Sequence, residues 1–138
     1  ARGTIIGLTR SANREHIIRA ALESIAYSTR DVLSVMEKDS GIPLSDVRVD
    51  GGASMNNFLM QFQSDIMDRV VTRPASHETT ALGASYLAGL ASGFWENTEV
   101  LKNIRKVSKS YKPGMDKERR EKLYAGWKKA VSRSLDWC

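Results

Sequence analysis

Residues 47–62 read VRVDGGASMNNFLMQF, and this stretch passes from a short apolar strand through two glycines into a helix. The strand is predicted at residues 47–49, and apolar residues recur at helical spacing from Phe58 onward. In an α/β sheet, ligands bind where strands end, and a helix that starts there points unpaired N–H groups at them. Because a glycine lets a ligand touch the backbone, Gly51 and Gly52 are predicted to form the floor of a binding site.

The polar residues beside the two glycines supply the chemistry of this predicted site. Asn56 is the first side chain after them that can both donate and accept hydrogen bonds, toward a base or a ribose. Asp50, at the strand end, could orient the turn, or reach a ligand hydroxyl or a metal-bound water. Neither GxxxxGK[ST] nor GxGxxG occurs, so the stretch favours an adenosine pocket over a phosphate cradle. A plain tight turn that needs a positive φ is the open alternative.

The rest of the chain alternates short strands with longer helices. A short strand or a loop is predicted at residues 4–6, and strands are predicted at 47–49 and 70–72. Helices are predicted from Ser11 or Asn13 to about Lys38, at 58–68, at 78–95 and after Asp116, with some helical character in the polar segment 96–112. The helix at 78–95 is rich in Ala, Gly and Ser, which is typical of a buried helix. This order predicts an α/β fold with few short strands, and a sheet this thin indicates a piece of a larger fold.

Composition narrows the class of protein. The 138 residues suffice for one domain, and the single cysteine, Cys138, excludes an intrachain disulfide and suits a reducing compartment. No stretch has the apolar length of a membrane span and the first residues do not form a signal peptide, so we expect a soluble, cytoplasmic protein without a membrane partner. The net charge is +5, but residues 102–133 carry twelve Lys or Arg against three acids. The basic surplus therefore belongs to the C-terminal quarter.

Several long segments resemble the C-terminal part of the FGGY family of carbohydrate kinases. They are VRVDGGASMNNFLMQFQSDI, VTRPASHETTALGASYLAGLASGFW and LYAGWKKAV, and the early GTIIGLTRSANREHIIRAALE is similar to the second signature of the family. The resemblance covers essentially all 138 residues. Within the family, NNFLMQFQSDI and ETTALGASYLAGLASGFW are closer to the members that phosphorylate glycerol than to those that act on xylulose or gluconate.

The resemblance implies a fold and a set of site residues. The fold is that of an actin-like ATPase, in which two ribonuclease-H-like domains close over MgATP, and residues 1–138 would be the C-terminal, adenosine-binding part of the second domain. By the family pattern, Gly52 and Asn56 fall on nucleotide-binding positions, and Gly51 and Ala53 are adjacent backbone. Mg²⁺ would be held mainly by the phosphates of ATP or ADP and by upstream residues, so no metal ligand is assigned in this chain.

The resemblance also implies a reaction for the parent protein, which we expect to be a homo-oligomer. ATP and glycerol would give glycerol 3-phosphate and ADP. In this family the first phosphate loop, most of the glycerol pocket and the catalytic aspartate lie upstream of these residues. No catalytic residue is therefore assigned here, and we expect the segment alone to be inactive. Asp65, which sits in an amphipathic helix, is expected to be a solvated or capping residue.

Other functions fit parts of the sequence. The basic tail with Tyr111, Tyr124 and Trp127 is compatible with a nucleic-acid-binding module. These aromatic residues fall at the helical spacing of a core face, however, so we expect a solvated basic surface and no nucleic-acid partner. A related FGGY sugar kinase, and an interaction protein that uses the small-residue helix as its surface, are the remaining alternatives.

Four polar residues near predicted helix starts have local interpretations. His16 is predicted to be a partly buried structural histidine, and His77 to cap or hydrogen-bond locally. Thr79 and Thr80 could face a nucleotide through the start of their helix, although a role at the helix start explains them as well.

Overall fold

The structure is a computed structural model that describes residues 3–76, 78–104 and 107–136. Within these ranges the elements in chain order are α1 (Arg14–Ser40), β1 (Asp46–Arg48), a 3-10 helix (Gly52–Met55), α2 (Asn57–Met67), β2 (Val70–Pro74), α3 (Thr79–Ala91), α4 (Thr98–Ile104), β3 (Val107–Tyr111) and α5 (Lys117–Arg133). No helix in the described ranges is long and apolar enough to cross a membrane. The predictions for His77 and Cys138 lie outside the described residues.

The three described strands form one mixed sheet in the order β1-β2-β3. β1 and β2 run parallel, with Val47 opposite Val71, and α2 connects them. β3 runs antiparallel to β2 and places Tyr111 opposite Val71. The prediction of an α/β fold with few short strands is confirmed. The parallel pair with its connecting helix is the unit whose strand ends bind ligands in such folds.

The core forms where α2 packs against the sheet and against α1. The buried residues of α2 are Leu59, Met60, Phe62, Gln63, Ser64, Ile66 and Met67. Tyr27 of α1 meets Phe62 edge to face, with ring centroids 5.5 Å apart. Complete burial of one large apolar side chain stabilises a fold by about 1.5–3 kcal/mol, so α2 is the element that holds the glycine turn before it in place.

The aromatic residues of the basic tail join this core. On α5, the Tyr124 hydroxyl and Trp127 Nε1 both donate to the carboxylate of Asp31 on α1, the latter at 2.7 Å. Tyr27 stacks on Trp127 with centroids 5.4 Å apart. Burial and the hydrogen bond to Asp31 raise the pKa of Tyr124 to about 12. Tyr124 is only 9% exposed, which confirms the core face predicted from the helical spacing. Tyr111 is 3% exposed, but it reaches the core from strand β3 and not from a helix.

Both predicted helix starts are capped, and a glycine ends α1. Asn13 caps α1: its side chain accepts from the His16 amide at 3.1 Å, and His16 Nδ1 accepts from the Asn13 amide at 3.3 Å. Gly41 ends α1 in the left-handed region at φ 68°, and Asp116 caps α5. His16 is structural, as predicted, but it is exposed rather than partly buried, because its ring closes the cap on the outer side of the helix.

Of the strand or loop predicted at residues 4–6, the structure shows the loop, and a strand is present where none was predicted. Ile5 and Ile6 are 62% and 54% exposed and pair with no described strand. The third strand is β3, inside the segment predicted as a polar connection. Its sequence VSKSY is exposed except for Tyr111, as suits an edge strand with one buried side chain. Such a strand lacks the apolar alternation that sequence patterns detect.

The predicted burial of the small-residue helix is also wrong. No residue of α3 is buried, Leu87 is 70% exposed, and α3 has no extensive contact with another described element. The small residues do permit close packing at one point. A Cβ added at Gly89 would overlap the Trp95 indole ring, so this glycine makes room for a side chain that follows the helix.

Candidate functional site

The glycine turn lies between the end of β1 and the start of α2. Gly51 has φ 77° and ψ 177°, a conformation that residues with a side chain rarely adopt. Its carbonyl oxygen accepts two hydrogen bonds from Ser54, from the amide at 3.1 Å and from Oγ at 2.7 Å. The turn is thus a fixed structure, and the glycine at position 51 is required by the backbone itself.

Space above the turn is open. A Cβ added at Gly51 or at Gly52 would have no described protein atom within 4 Å. Ala53 is exposed, so the surface beyond the glycines continues at backbone level. Gly52 has no positive φ and no close neighbour, so nothing in the described fold requires a glycine at that position. A ligand that lies on the backbone would explain it.

Asn56 caps α2 and lies at the edge of the glycine turn, directly after the 3-10 helix. Its Oδ1 accepts from the Leu59 amide at 3.1 Å, and its backbone amide donates to the Ala53 carbonyl at 3.2 Å. The sequence indicated a side chain free both to donate and to accept. In the structure the acceptor is engaged by the helix, so Nδ2 is the group left for a ligand.

Asp50 connects the turn to the start of α3. Its carboxylate accepts a hydrogen bond from the Thr79 hydroxyl. Two helix starts, those of α2 and α3, therefore lie at the same end of the parallel strand pair. Of the three predicted roles of Asp50, the structure shows the orienting one. Thr79 is held by that carboxylate, whereas Thr80 is exposed.

Arg73 is a residue of this site that the sequence analysis missed. It lies on β2, is 8% exposed, and donates from Nη1 to the Ser54 carbonyl at 2.9 Å, directly behind the turn. The signal in the sequence was an arginine inside the strand VVTRP, where the alternation with Val71 places it on the buried side.

The acid predicted to be solvated or capping is in a different role. Asp65 is half-buried and accepts from Gln61 Nε2 at 3.1 Å and from the Gly114 amide at 2.7 Å. It therefore fastens the loop before α5 to α2. The loop returns over α2 because β3 is paired beside it, a contact that helical periodicity alone does not reveal.

The turn is an open face rather than an enclosed pocket. Two clefts are described elsewhere: one of about 300 Å³ between α1 and α5, which Arg30, Glu37 and Arg69 help to line, and one of about 450 Å³ along α1. Among the described residues, no three His, Cys, Asp or Glu side chains lie close enough together to hold a metal ion. The described part of the site can thus contact the flat part of a ligand through its backbone and one amide.

The sequence pattern of the C-terminal domain of the FGGY family of carbohydrate kinases matches residues 1–92. The chain belongs to this family. It is 66% identical over 137 residues to a glycerol kinase of Thermoanaerobacter sp. (strain X514), an alignment that covers 99% of this chain and 28% of that protein. It is 60% identical to glycerol kinase 2 of Thermotoga maritima, with the same coverage. This FGGY chain thus spans a little over a quarter of the length of these curated relatives.

Solved structures of FGGY kinases share the fold. The structure of Plasmodium falciparum glycerol kinase with ADP matches with a TM-score of 0.90 and 36% identity, covering 98% of this chain and 27% of that one. A xylulose kinase from Rhodospirillum rubrum matches with a TM-score of 0.79 and 25% identity. The family resemblance and the fold predicted from the sequence are therefore confirmed. The relatives at 60–66% identity are glycerol kinases.

Proposed function

We propose that this chain is the adenosine-binding, C-terminal part of the second domain of a glycerol kinase. The observation that carries the proposal is the open glycine turn at the end of β1, whose Gly51 and Gly52 leave the backbone bare beside the amide of Asn56. The flat adenine ring, or one face of the ribose, can rest on such a surface, because no side chain stands between it and the peptide plane. The ADP named for the Plasmodium structure supports a nucleotide as the ligand.

Each residue of the proposed site has a distinct task. Gly51 turns the chain, Gly52 and Ala53 present the backbone to the nucleoside, and Asn56 donates from Nδ2. ATP with Mg²⁺ would be bound mainly through its phosphates and through upstream residues, and those residues would also hold glycerol and supply the catalytic aspartate. The parent enzyme, a cytoplasmic homo-oligomer, would transfer the γ-phosphate to glycerol, and this chain alone would be inactive.

An ADP titration of the 138-residue chain, followed at the backbone amides by NMR, tests the placement of the nucleotide. We expect saturable shifts at Gly52 and Asn56. Gly52→Val should weaken ADP binding about tenfold or more, since a branched side chain would stand in the nucleotide's place. Gly126→Val is the matched control, because Gly126 also has open space around its Cβ but lies on α5.

A chimeric enzyme tests the same placement during turnover. This chain would replace the matching C-terminal part of the Thermoanaerobacter glycerol kinase. Gly52→Val should raise the KM for ATP far more than the KM for glycerol. Equal increases for both substrates, or NMR shifts confined to residues 107–133 with an RNA oligomer and none with ADP, would contradict the proposal.

A further inference from the structure

Arg73 is a buried cation without a carboxylate partner in the described part of the chain. It is 8% exposed, its Nη1 donates to the Ser54 carbonyl at 2.9 Å, and its Nε is buried with no hydrogen-bond partner among the described residues. Burying a guanidinium is costly unless its charge or its hydrogen bonds are compensated. The fold nevertheless places the Arg73 guanidinium directly behind the glycine turn.

Arg120 shows what a buried arginine does elsewhere in the same fold. It is also 8% exposed, yet its two Nη atoms donate to both oxygens of Asp68, at 3.0 and 2.9 Å. That bidentate pair joins α5 to the end of α2 and compensates the charge. Arg73 has only a carbonyl partner, so its position is not explained by a salt bridge among the described residues.

The contacts of Arg73 lead into the turn through one residue. Ser54 is 2% exposed and donates twice to the Gly51 carbonyl, at 3.1 Å from its amide and 2.7 Å from Oγ. The order of contacts is therefore Arg73, Ser54, Gly51. A hydrogen bond from a charged donor is stronger than one between neutral groups, so Arg73 holds the 3-10 helix against β2.

We propose that Arg73 is the positioning residue of the glycine turn: it holds the backbone of Gly51 and Gly52 in the position that contacts the nucleoside. The inference rests on the proposed nucleotide site. Arg73 itself lies behind the turn and acts through Ser54. Without its hydrogen bond the 3-10 helix loses its attachment to the sheet, and the floor of the site becomes mobile while α2 and the core keep their packing.

The test compares Arg73→Met with Arg73→Lys and with the control Arg120→Met in the 138-residue chain. Hydrogen exchange of the Ser54 and Asn56 amides is measured without nucleotide, relative to the amide of Ala26, a fully buried residue of α1. Arg73→Met should speed exchange at the turn about tenfold beyond any change at Ala26, and weaken ADP binding by about the same factor. Arg73→Lys keeps the charge and a hydrogen-bond donor, so it should recover part of the exchange protection and part of the ADP affinity. If Arg73→Met does not fold, the comparison of Arg73→Lys with the wild-type chain provides the test.

Arg120→Met removes an equally buried arginine from the other side of the core. It should lower the melting temperature and leave the relative exchange at Ser54 and the ADP affinity unchanged. If Arg73→Met behaves like Arg120→Met in these two measurements, the positioning role is wrong. If the wild-type chain does not respond to ADP, the proposed nucleotide site fails, and the exchange at Ser54 still decides whether Arg73 positions the turn.

Discussion

The side-chain amide of Asn56 is shared between the fold and the ligand. Its Oδ1 caps α2 through the Leu59 amide, and its Nδ2 donates to no described residue. An asparagine satisfies both needs, because one end of its amide accepts while the other donates. Serine, threonine or aspartate would cap the helix about as well, so capping does not by itself demand asparagine. The donor is what distinguishes it from aspartate.

Asn56→Asp separates the two tasks. The carboxylate keeps an oxygen at the cap and suits the positive end of the helix, so the melting temperature should stay close to that of the wild-type chain. Asn56→Ala should cost about 1 kcal/mol of stability. Both variants should bind adenosine about tenfold more weakly, as measured by calorimetry. Adenosine is used because it has no phosphates for the new carboxylate to repel. Wild-type affinity in Asn56→Asp would show that Nδ2 does not reach the ligand.

At the scale of elements, Glu37 joins three segments near the end of α1. Its Oε1 accepts from the Leu44 amide at 2.7 Å and from Arg69 Nη2 at 3.2 Å, which ties the connection into β1 and the turn after α2 to the helix. The Leu44 hydrogen bond, with that from Arg69 second, lowers the pKa of Glu37 from its ordinary value of 4.5. The folded state therefore favours the ionised carboxylate.

The lowered pKa fixes the sign of a pH effect. Stability from Glu37 is fully present above its unfolded pKa of 4.5 and is lost as the pH falls through the lower folded pKa. Glu37→Gln should therefore lower the melting temperature at pH 7, and the difference from wild type should shrink below pH 4. Thermal unfolding followed by circular dichroism measures both. Glu96→Gln, at an exposed position, is the control and should have no effect at either pH. A difference that grows in acid would contradict the assignment.

Elements with a strong local signal were predictable from the sequence, and those defined by tertiary contacts were not. Helix α1 and its caps at Asn13 and Gly41 follow from apolar spacing and from residues suited to each end. Strand β3 was missed because an edge strand with one buried residue has no apolar alternation. The site divides in the same way: the glycines stand out in the sequence, whereas the role of Arg73 depends on a carbonyl 19 residues away.

At the scale of the whole molecule, the chain exposes more surface than a self-contained domain. Its accessible area is 10119 Å² at 15.4 kDa, whereas a compact protein of that mass exposes about 7,200 Å². Part of the excess is an apolar stripe on α1, where Ile18, Ile25 and Val32 are 49%, 47% and 59% exposed. They are seven residues apart and thus share one helix face. Exposed apolar surface of this extent is typical of an interface.

The relatives suggest what covers this stripe, since this chain spans only 28% of the Thermoanaerobacter enzyme. We expect the upstream part of a full-length kinase to pack on it. Replacing Ile18, Ile25 and Val32 by Gln should leave the melting temperature of the isolated chain nearly unchanged and reduce its binding of a hydrophobic dye. In the chimeric enzyme the same change should lower the free energy of unfolding by about 1.5–3 kcal/mol for each residue that becomes fully buried there.

The control for the stripe is Ser34→Gln, which alters an exposed polar position of the same helix away from the cleft that Ile25 and Val32 line, and should be silent in both proteins. Calorimetry of the chimera and of the isolated chain compares the two effects. Destabilisation of the isolated chain by the triple variant would mean that the stripe already packs within the 138 residues. A chimera that tolerates the triple variant would mean that the upstream part lies elsewhere, and the excess surface would then have to be covered by another copy or another protein.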